Sequence, residues 1–513
     1  MNVPMLLEMV AEAAGDRVVL GGLSGGISAR ELLEAAHGAS RLFVTSGACS
    51  VVWLDYNSEA LPVALFGAAF AGLAFVPVNY RLSDEALMAI LGRVTPCVAV
   101  VAADMANRVA GMEGLTVVDT ATFMAQARGR DSHLDLAGVE ADEVGPGAAD
   151  EPVWVDPEAV AVLLFTSGTT GEPKAAVLRH RHLVSYILSS VEFLGAEVGE
   201  AQLVSVPPYH IAGVSSVLSS LYSGRRIVYL PGFDPAKWVA TVESEKVTQA
   251  MVVPTMLGRI LDEIERSNVD TSSLRHLSYG GGRMPPETIE RAMRMLPGVD
   301  FVNAYGLTET SSTVAVLSPG DHRDSLASGD PAVRARLGSV GRPLPSVEVS
   351  IRNAHGGEVA PGERGEVWVR GEQVAGEYTG RSALNEDGWF ATRDAGWLDE
   401  GGFLFLDGRL DDVIVRGGEN LSPGEIEGAL MTHPAVAEAA VVGVPDREWG
   451  EAVAAVIVLE AGASATPEEL QAWVRERLRS TKSPAVIAFR SELPYNETGK
   501  LLRRVIRDEL TTG

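Results

Sequence analysis

A chain of 513 residues is too long for one hydrophobic core and divides into about two to four structural units. Its 46% hydrophobic residues supply those cores, while 42 Lys and Arg against 68 Asp and Glu leave a formal charge of −26, which excludes a general nucleic-acid or anionic-membrane binder because both rely on basic surface. Two cysteines, Cys49 and Cys97, exclude a disulfide framework, and the first residues lack the basic-then-apolar pattern of a secretory signal, so the expected compartment is the cytoplasm. From 32 to 101 the pattern alternates: helix 32–43, strand 51–54, helix 60–72, strand 74–77, helix 85–94, strand 97–101. Such alternation predicts βα units and a largely parallel sheet. Residues 61–78 run for 18 positions without a charge, which touches the length of a membrane span. Their alanines and glycines, with Pro62 and Pro77 near the ends, predict a buried helix leading into a buried strand instead. Residues 138–158 change character, with Glu140, Asp142, Glu143, Asp150, Glu151, Asp156 and Glu158 among Gly, Pro and Ala. Like charges at that density repel and resist burial, which predicts a solvated connector.

The connector leads to 161–165, a continuous apolar run of strand length that stops at a loop of hydroxyls and glycines closed by a lysine. Gly168 and Gly171 let backbone N–H groups approach an anion, Thr166, Ser167, Thr169 and Thr170 add hydroxyl donors, and Lys174 adds a mobile positive charge. A nucleotide triphosphate satisfies all of these groups together. The spacing is not that of the common P-loop, which needs four residues between its glycines and ends in Gly-Lys-Ser/Thr. The competing reading is a Ser/Thr/Gly surface loop that binds nothing. Beyond it, 181–194 reads as a helix, strands and helices alternate through 277, and glycine-punctuated short strands such as 347–351 and 366–369 predict a small β-barrel or antiparallel sheet within 338–405. The last hundred residues carry helix 423–430, strands 437–442 and 452–459, and helix 467–478.

Residues 162–174 resemble the phosphate-binding signature of the adenylate-forming enzymes, the superfamily of acyl-CoA synthetases, non-ribosomal peptide adenylation domains and luciferases. Later stretches match that superfamily in order, so the resemblance runs from about residue 20 to 505, with Ala175 standing where the family usually has glycine. It implies an α/β fold: a large N-terminal AMP-binding domain, 1–410, of doubly wound sheets plus a small β-barrel, and a smaller mobile α+β C-terminal domain, 411–513. In Asn303-Ala-Tyr-Gly-Leu-Thr-Glu309 it implies that Asn303 binds the nucleotide, Tyr305 stacks on adenine, Thr308 meets the α-phosphate, and Glu309 a Mg²⁺ ion, which takes oxygen ligands. The alternative is a glycine turn with a core tyrosine. Asp394 matches the family carboxylate that accepts the two ribose hydroxyls, and Arg409 the arginine on ribose and phosphate; Asp beside glycine is also a common turn cap.

Asp411, before the glycine-rich Arg416-Gly-Gly-Glu-Asn420, matches the family's pivot, about which the small domain presents one face for adenylation and another for thioester formation. Gly417 and Gly418 match the loop bordering the pantetheine tunnel. Lys500 matches the catalytic lysine, a cation that reaches both the attacking carboxylate and the α-phosphate; without the resemblance it reads as an exposed lysine after a turn. For the acid, the resemblance implies a pocket lined by Tyr209, His210, Ile211 and Gly213, by 254–257, by Gly280, Gly281 and Gly282, and by Ala304, with Tyr209-His210 as an aromatic gate. No Asp stands where amino-acid adenylation domains hold an ammonium group. Gly280-Gly-Gly-Arg-Met-Pro285 puts Arg283 near that wall, either pairing with a second polar group on the acid or facing solvent. The expected function is ATP-dependent activation of an apolar, fatty or aryl, carboxylic acid to acyl-AMP followed by transfer to CoA. Loading of a separate carrier protein and a non-catalytic nucleotide-binding regulator are the alternatives. ATP, Mg²⁺ and CoA are the expected cofactors, a homodimer the expected assembly.

Overall fold

The computed structural model describes residues 1–129, 154–166, 174–417, 419–495 and 501–512. Two large sheets carry the first four hundred residues. One, eight-stranded, has the order Arg381–Ser382, Glu377–Tyr378, Lys174–Arg179, Val160–Thr166, Ala74–Pro77, Ser50–Leu54, Cys97–Val101, Leu115–Asp119. From Val160–Thr166 outward to Leu115–Asp119 its pairs are parallel, as the βα alternation predicts. Strands Ser50–Leu54 and Cys97–Val101, in the middle of that run, are buried at every residue, as strands covered on both faces are, whereas the edge strand Leu115–Asp119 is largely open. Helix Ala29–Thr45 starts on a reciprocal cap between Ser28 and Glu31 and packs on helix Ala60–Phe70, every residue of which is buried. The uncharged run 61–78 is therefore core: the helix stops at Gly72, whose φ is +69°, and the chain turns into strand Ala74–Pro77. No helix among the described residues is long and apolar enough to cross a membrane.

The second sheet, nine-stranded, runs Arg342–Pro343, Ser312–Leu317, Asp300–Leu307, His276–Gly280, Gln249–Val252, Ala201–Val204, Arg226–Tyr229, Val18–Gly22, Gly25–Ser28, parallel from Asp300–Leu307 through Val18–Gly22 and antiparallel at both edges. Its parallel strands point their C-terminal ends toward one edge, the place where open α/β sheets bind ligands. Within 348–409 four strands, Glu348–Arg352, Gly365–Arg370, Phe390–Leu398 and Leu404–Arg409, form an antiparallel sheet, the second of the two forms anticipated for this stretch. Its core is small, built on Val347, Ile351, Val367, Val369, Phe390 and Leu404.

After Arg409 comes a single 3-10 turn, Leu410–Asp412, and then a separate five-stranded sheet: Ile414–Arg416, Glu419–Leu421, Val436–Asp446, Gly450–Leu459 and Val486–Arg490. Helices Pro423–Met431 and Pro467–Arg477 cover it, and Ile414, Ile426, Leu430, Val441, Ile457, Leu470 and Val474 make a core that shares no residue with the other clusters.

Candidate active site

Strands Val160–Thr166 and Lys174–Arg179, which flank the hydroxyl- and glycine-rich stretch in sequence, pair antiparallel with Thr166 opposite Lys174. Ser167, Gly168, Thr169, Thr170 and Gly171 lie outside the described residues, as do Gly418 and Lys500. Ala175, the departure from the family pattern, has a local reason: it is buried opposite Phe165, and its carbonyl accepts from Thr379 N at 3.0 Å, so its methyl fills space in the sheet.

That backbone bond extends the sheet by strand Glu377–Tyr378, with Tyr378 opposite Ala176. The placement brings the Tyr378 hydroxyl onto Glu309, donating to Oε1 at 2.6 Å, while Gly376 N donates to the Glu309 carbonyl at 3.0 Å. Glu309 sits in the 3-10 turn Thr308–Thr310 that ends strand Asp300–Leu307 and is 9% exposed. The reversal depends on Gly306, where a Cβ would stand 1.8 Å from the Ser312 carbonyl oxygen, and on left-handed backbone at Ser311 and Ser312, with φ of +57° and +119°. Tyr378 carried no local sign of its role in the sequence; an aromatic between Gly376 and Gly380 is the only hint.

Four residues before Glu309, the Tyr305 hydroxyl donates to Asp394 Oδ2 at 2.5 Å, and Arg409 Nη1 donates to Asp394 Oδ1 at 2.9 Å and to the Thr392 carbonyl at 3.0 Å. Asp394 and Arg409 are directly opposite in the antiparallel pair Phe390–Leu398 and Leu404–Arg409, so the sheet register itself makes the ion pair. A local turn cap does not describe Asp394: both of its oxygens bond side chains from elsewhere. Each ionised carboxylate oxygen can accept a further hydrogen bond. Burial first, then the Asp394 charge, raises the Tyr305 phenol well above its usual range, and burial with Glu309 does the same to Tyr378, so both stay protonated donors. Burial alone lowers the Arg409 guanidinium, but Asp394 outweighs it and Arg409 stays a cation. Asn303 is committed elsewhere, its Nδ2 donating to the Ser339 carbonyl at 3.0 Å.

The expected acid pocket is assembled in part. Gly280 and Ala304 are neighbours across strands His276–Gly280 and Asp300–Leu307, and a Cβ at Gly280 would lie 2.3 Å from the Ala304 carbonyl oxygen. Gly281, with φ +76°, and Gly282 face Val253 and Pro254, the start of helix Pro254–Arg266. Gly213 passes close to Pro207 and Pro208. Tyr209 is 5% exposed, with its ring edge-on to Tyr80 at 5.3 Å, because strand-end apolar residues enclose it. His210, its ring 4.8 Å from that of Tyr209, is half-buried at the start of helix Ile211–Tyr222, and burial pushes its imidazole down to about 4, leaving it neutral at physiological pH.

Arg283 departs from the expected wall position. Its Nη1 donates to the Gly424 carbonyl at 2.8 Å, on helix Pro423–Met431, rather than pointing into the pocket. Asp411 Oδ1 accepts from Arg393 Nη2 at 2.5 Å, and Arg393, at φ +63°, is a second residue the sequence did not single out. Gly417, at φ +59°, donates its N–H to the Trp449 carbonyl at 2.7 Å, and a Cβ there would meet the Trp449 ring at 2.8 Å. Among the described residues no group of three or more His, Cys, Asp or Glu is arranged to hold a metal ion. A single buried carboxylate with a hydroxyl neighbour suits Mg²⁺, which keeps several waters and takes its other oxygens from nucleotide phosphates.

Residues 7–379 match the model of the AMP-binding enzyme family, and residues 425–500 that of the AMP-binding enzyme C-terminal domain. A feruloyl-CoA synthase of Amycolatopsis is 34% identical over 462 residues, 89% of this chain and 88% of that protein. A fatty acid–[acyl-carrier-protein] ligase of Streptomyces coeruleorubidus is 33% identical over 478 residues, 89% and 86% of the two chains. Among solved structures, the o-succinylbenzoate CoA synthetase of Bacillus subtilis in complex with its acyl-adenylate intermediate aligns at a TM-score of 0.80 and 29% identity, covering 98% of each chain.

Proposed function

The chain belongs to the AMP-binding enzyme family, and from that premise we propose a two-step reading of its site as an AMP-forming acid–thiol ligase. In the first step a carboxylate oxygen attacks the α-phosphorus of ATP, the α–β bridging bond breaks, and pyrophosphate leaves acyl-AMP behind. In the second the CoA thiol loses its proton, its sulfur attacks the acyl carbon, and AMP departs. The observation that carries this reading is the cluster at strand end 305–309, where two tyrosine hydroxyls hold two carboxylates: Tyr305 holds Asp394 at 2.5 Å, and Tyr378, from strand Glu377–Tyr378, holds Glu309 at 2.6 Å. Asp394 and Arg409 take the ribose hydroxyls. Glu309 holds Mg²⁺, which neutralises phosphate charge, and Thr308 takes the α-phosphate. The hairpin loop 166–174 holds the β- and γ-phosphates, and Lys500 bridges the acid and the α-phosphate. Asp411 is the pivot, with the domain boundary at 410/411.

The acid is apolar or aryl. Support comes from the feruloyl and succinylbenzoate names of the relatives and from a neutral His210 at the pocket mouth, which offers an aromatic edge and no charge. An acyl-carrier protein is the second reading for the acceptor, favoured by the carrier-loading relative from Streptomyces. The cytoplasm is the compartment that suits an exposed Cys49 and a buried Cys97 with no disulfide between them, and light scattering of the purified protein decides between a monomer and the expected homodimer. A panel of aryl, fatty and dicarboxylic acids, followed by pyrophosphate release with and without CoA, tests the whole reading. Acid-dependent pyrophosphate and an acyl-CoA product are expected. Acyl-AMP that accumulates with CoA present points to the carrier protein, and no acid-dependent pyrophosphate from any acid overturns the enzyme reading.

A further inference from the structure

The contact between Arg283 and helix Pro423–Met431 answers a question that the sequence of this helix raises. Its nine residues include Gly424 and Gly428, and glycine inside a helix costs about 1 kcal/mol relative to alanine. Residues four apart lie on one face. At Gly424 a Cβ would stand 2.7 Å from the Asp407 carbonyl oxygen, so only glycine lets the helix approach strand Leu404–Arg409 this closely. At Gly428 a Cβ would stand 3.6 Å from Arg283 Nη2, so a longer side chain there would displace the guanidinium. The two glycines form a socket, and Arg283 sits in it with Nη1 2.8 Å from the Gly424 carbonyl. Ser422 Oγ donates to the Asp407 carbonyl at 3.0 Å beside it, and the whole contact borders a cleft of about 280 Å³ whose floor is the stacked pair Trp397 and Phe405, 4.2 Å apart.

Helix stability does not explain the arrangement. A cation at a helix N-terminus opposes the macrodipole, which favours anions there. Nor is it a core contact, because Arg283 remains exposed. What the contact joins is the loop 280–285, whose Gly281 and Gly282 border the candidate pocket, to the first turn of the sheet-and-helix unit after the 410–412 turn.

We infer that Arg283 and the Gly424/Gly428 socket are a latch that holds the C-terminal unit in the orientation seen here and opens when that unit turns between the two half-reactions. Arg283 is thus a positioning residue. The inference rests on the two-step reading above. An exposed charged donor on a neutral carbonyl makes a weak, reversible contact, which sets the size of the expected effect at about fivefold in the closed-to-open ratio.

Two variants break the contact from opposite sides: Arg283→Ala removes the arm, and Gly424→Ala pushes the helix off Asp407. Amide hydrogen exchange of the full-length protein without ligands is read at 407–412 and 424–430, and the half-reactions are assayed separately, pyrophosphate exchange without CoA and thioester formation from supplied acyl-AMP. Each variant should speed exchange at 407–412 about fivefold, with 424–430 following in Arg283→Ala, which leaves the helix sequence untouched; exchange in the sheet cores should not change, and the ratio of the two half-reaction rates should shift about fivefold in the same direction in both, with KM for the acid unchanged. Arg283→Ala made in the Gly424→Ala background should add little. Unchanged exchange in both variants overturns the latch, as does a raised acid KM in Arg283→Ala with no change in exchange. If the unsubstituted protein activates no acid, the two-step reading fails, and the exchange data alone decide whether the contact holds the unit in place.

Discussion

Glu309 and Asp394 are each gripped by one tyrosine hydroxyl, and the grip separates shape from charge. Glutamine in place of Glu309 keeps an oxygen for the Tyr378 hydroxyl and nearly the same volume, but loses the negative charge that a magnesium ion needs. Glu309→Gln should therefore melt within about 2 °C of the unsubstituted protein while acid-dependent pyrophosphate exchange falls by about 10²–10³, the usual scale for removing one group that stabilises transition-state charge. Exchange kept within about threefold would remove Glu309 from the metal role. At this scale the sequence showed the charged residues and hid their holders. Glu309, Asp394 and Arg409 stand in recognisable strings, whereas Tyr378 lies 69 positions from the carboxylate it serves, in a strand of two residues. No local pattern specifies a partner at that separation; the pairing of Tyr378 with Ala176 does.

Elements long enough to repeat their pattern were legible, and those set by a turn or by a distant partner were not. Strands Ala74–Pro77 and Cys97–Val101 fall where apolar runs put them. Helix His180–Ser190 stops short of the expected 194 because Val191 is extended and Leu194 adopts φ +51°. The glycine in the site strand is the element-scale weak point. Gly306→Ala drives a methyl into the Ser312 carbonyl, 1.8 Å away, and must open the Asp300–Leu307 and Ser312–Leu317 pair that turns Glu309 inward. A loss of about 2–4 kcal/mol is expected, visible as a lower melting temperature with a parallel loss of pyrophosphate exchange. Intact melting with intact activity would mean the hairpin tolerates a shift there. Helix His180–Ser190 supplies a pH prediction. His180 Nδ1 accepts from Val3 N at 3.3 Å and His182 Nδ1 from Arg179 N at 3.2 Å, and burial pushes both imidazoles down to about 4 from an unfolded value of 6.5. The unfolded chain takes up these protons first. Stability is thus complete above pH 6.5 and declines as pH falls toward 4, at about 1.4 kcal/mol per pH unit for each histidine. Melting temperatures measured from pH 7 to 4.5 should drop, and drop less in His182→Gln; equal slopes would clear His182 of the effect.

For the molecule as a whole, the order of motifs along the chain predicted two bodies and the turn between them, but the contacts that set their mutual orientation were invisible, because Arg283 and Gly424 are 141 positions apart and neither is unusual alone. The turn itself is the last test. Leu410–Asp412 is one 3-10 turn between strands Leu404–Arg409 and Ile414–Arg416. The ion pair from Arg393 to Asp411 cannot be what fixes it, since the two side chains are 57% and 35% exposed and such a pair contributes under about 1 kcal/mol. In the proposed two-step reading this turn is the pivot and its backbone dihedrals set the motion, so backbone chemistry should be what stops it. Asp411→Pro locks φ near −65° and disfavours the helical conformation at Leu410, which restricts the turn to fewer states than a swinging unit requires. One half-reaction should then fall at least about tenfold further than the other, because the proposed reading gives each a different face of the C-terminal unit. Asp411→Ala is the control: it removes the ion pair and leaves the dihedrals free, so both rates should stay within about twofold. Equal losses in Asp411→Pro, or a control that matches it, would mean that the chain turns somewhere other than 410–412.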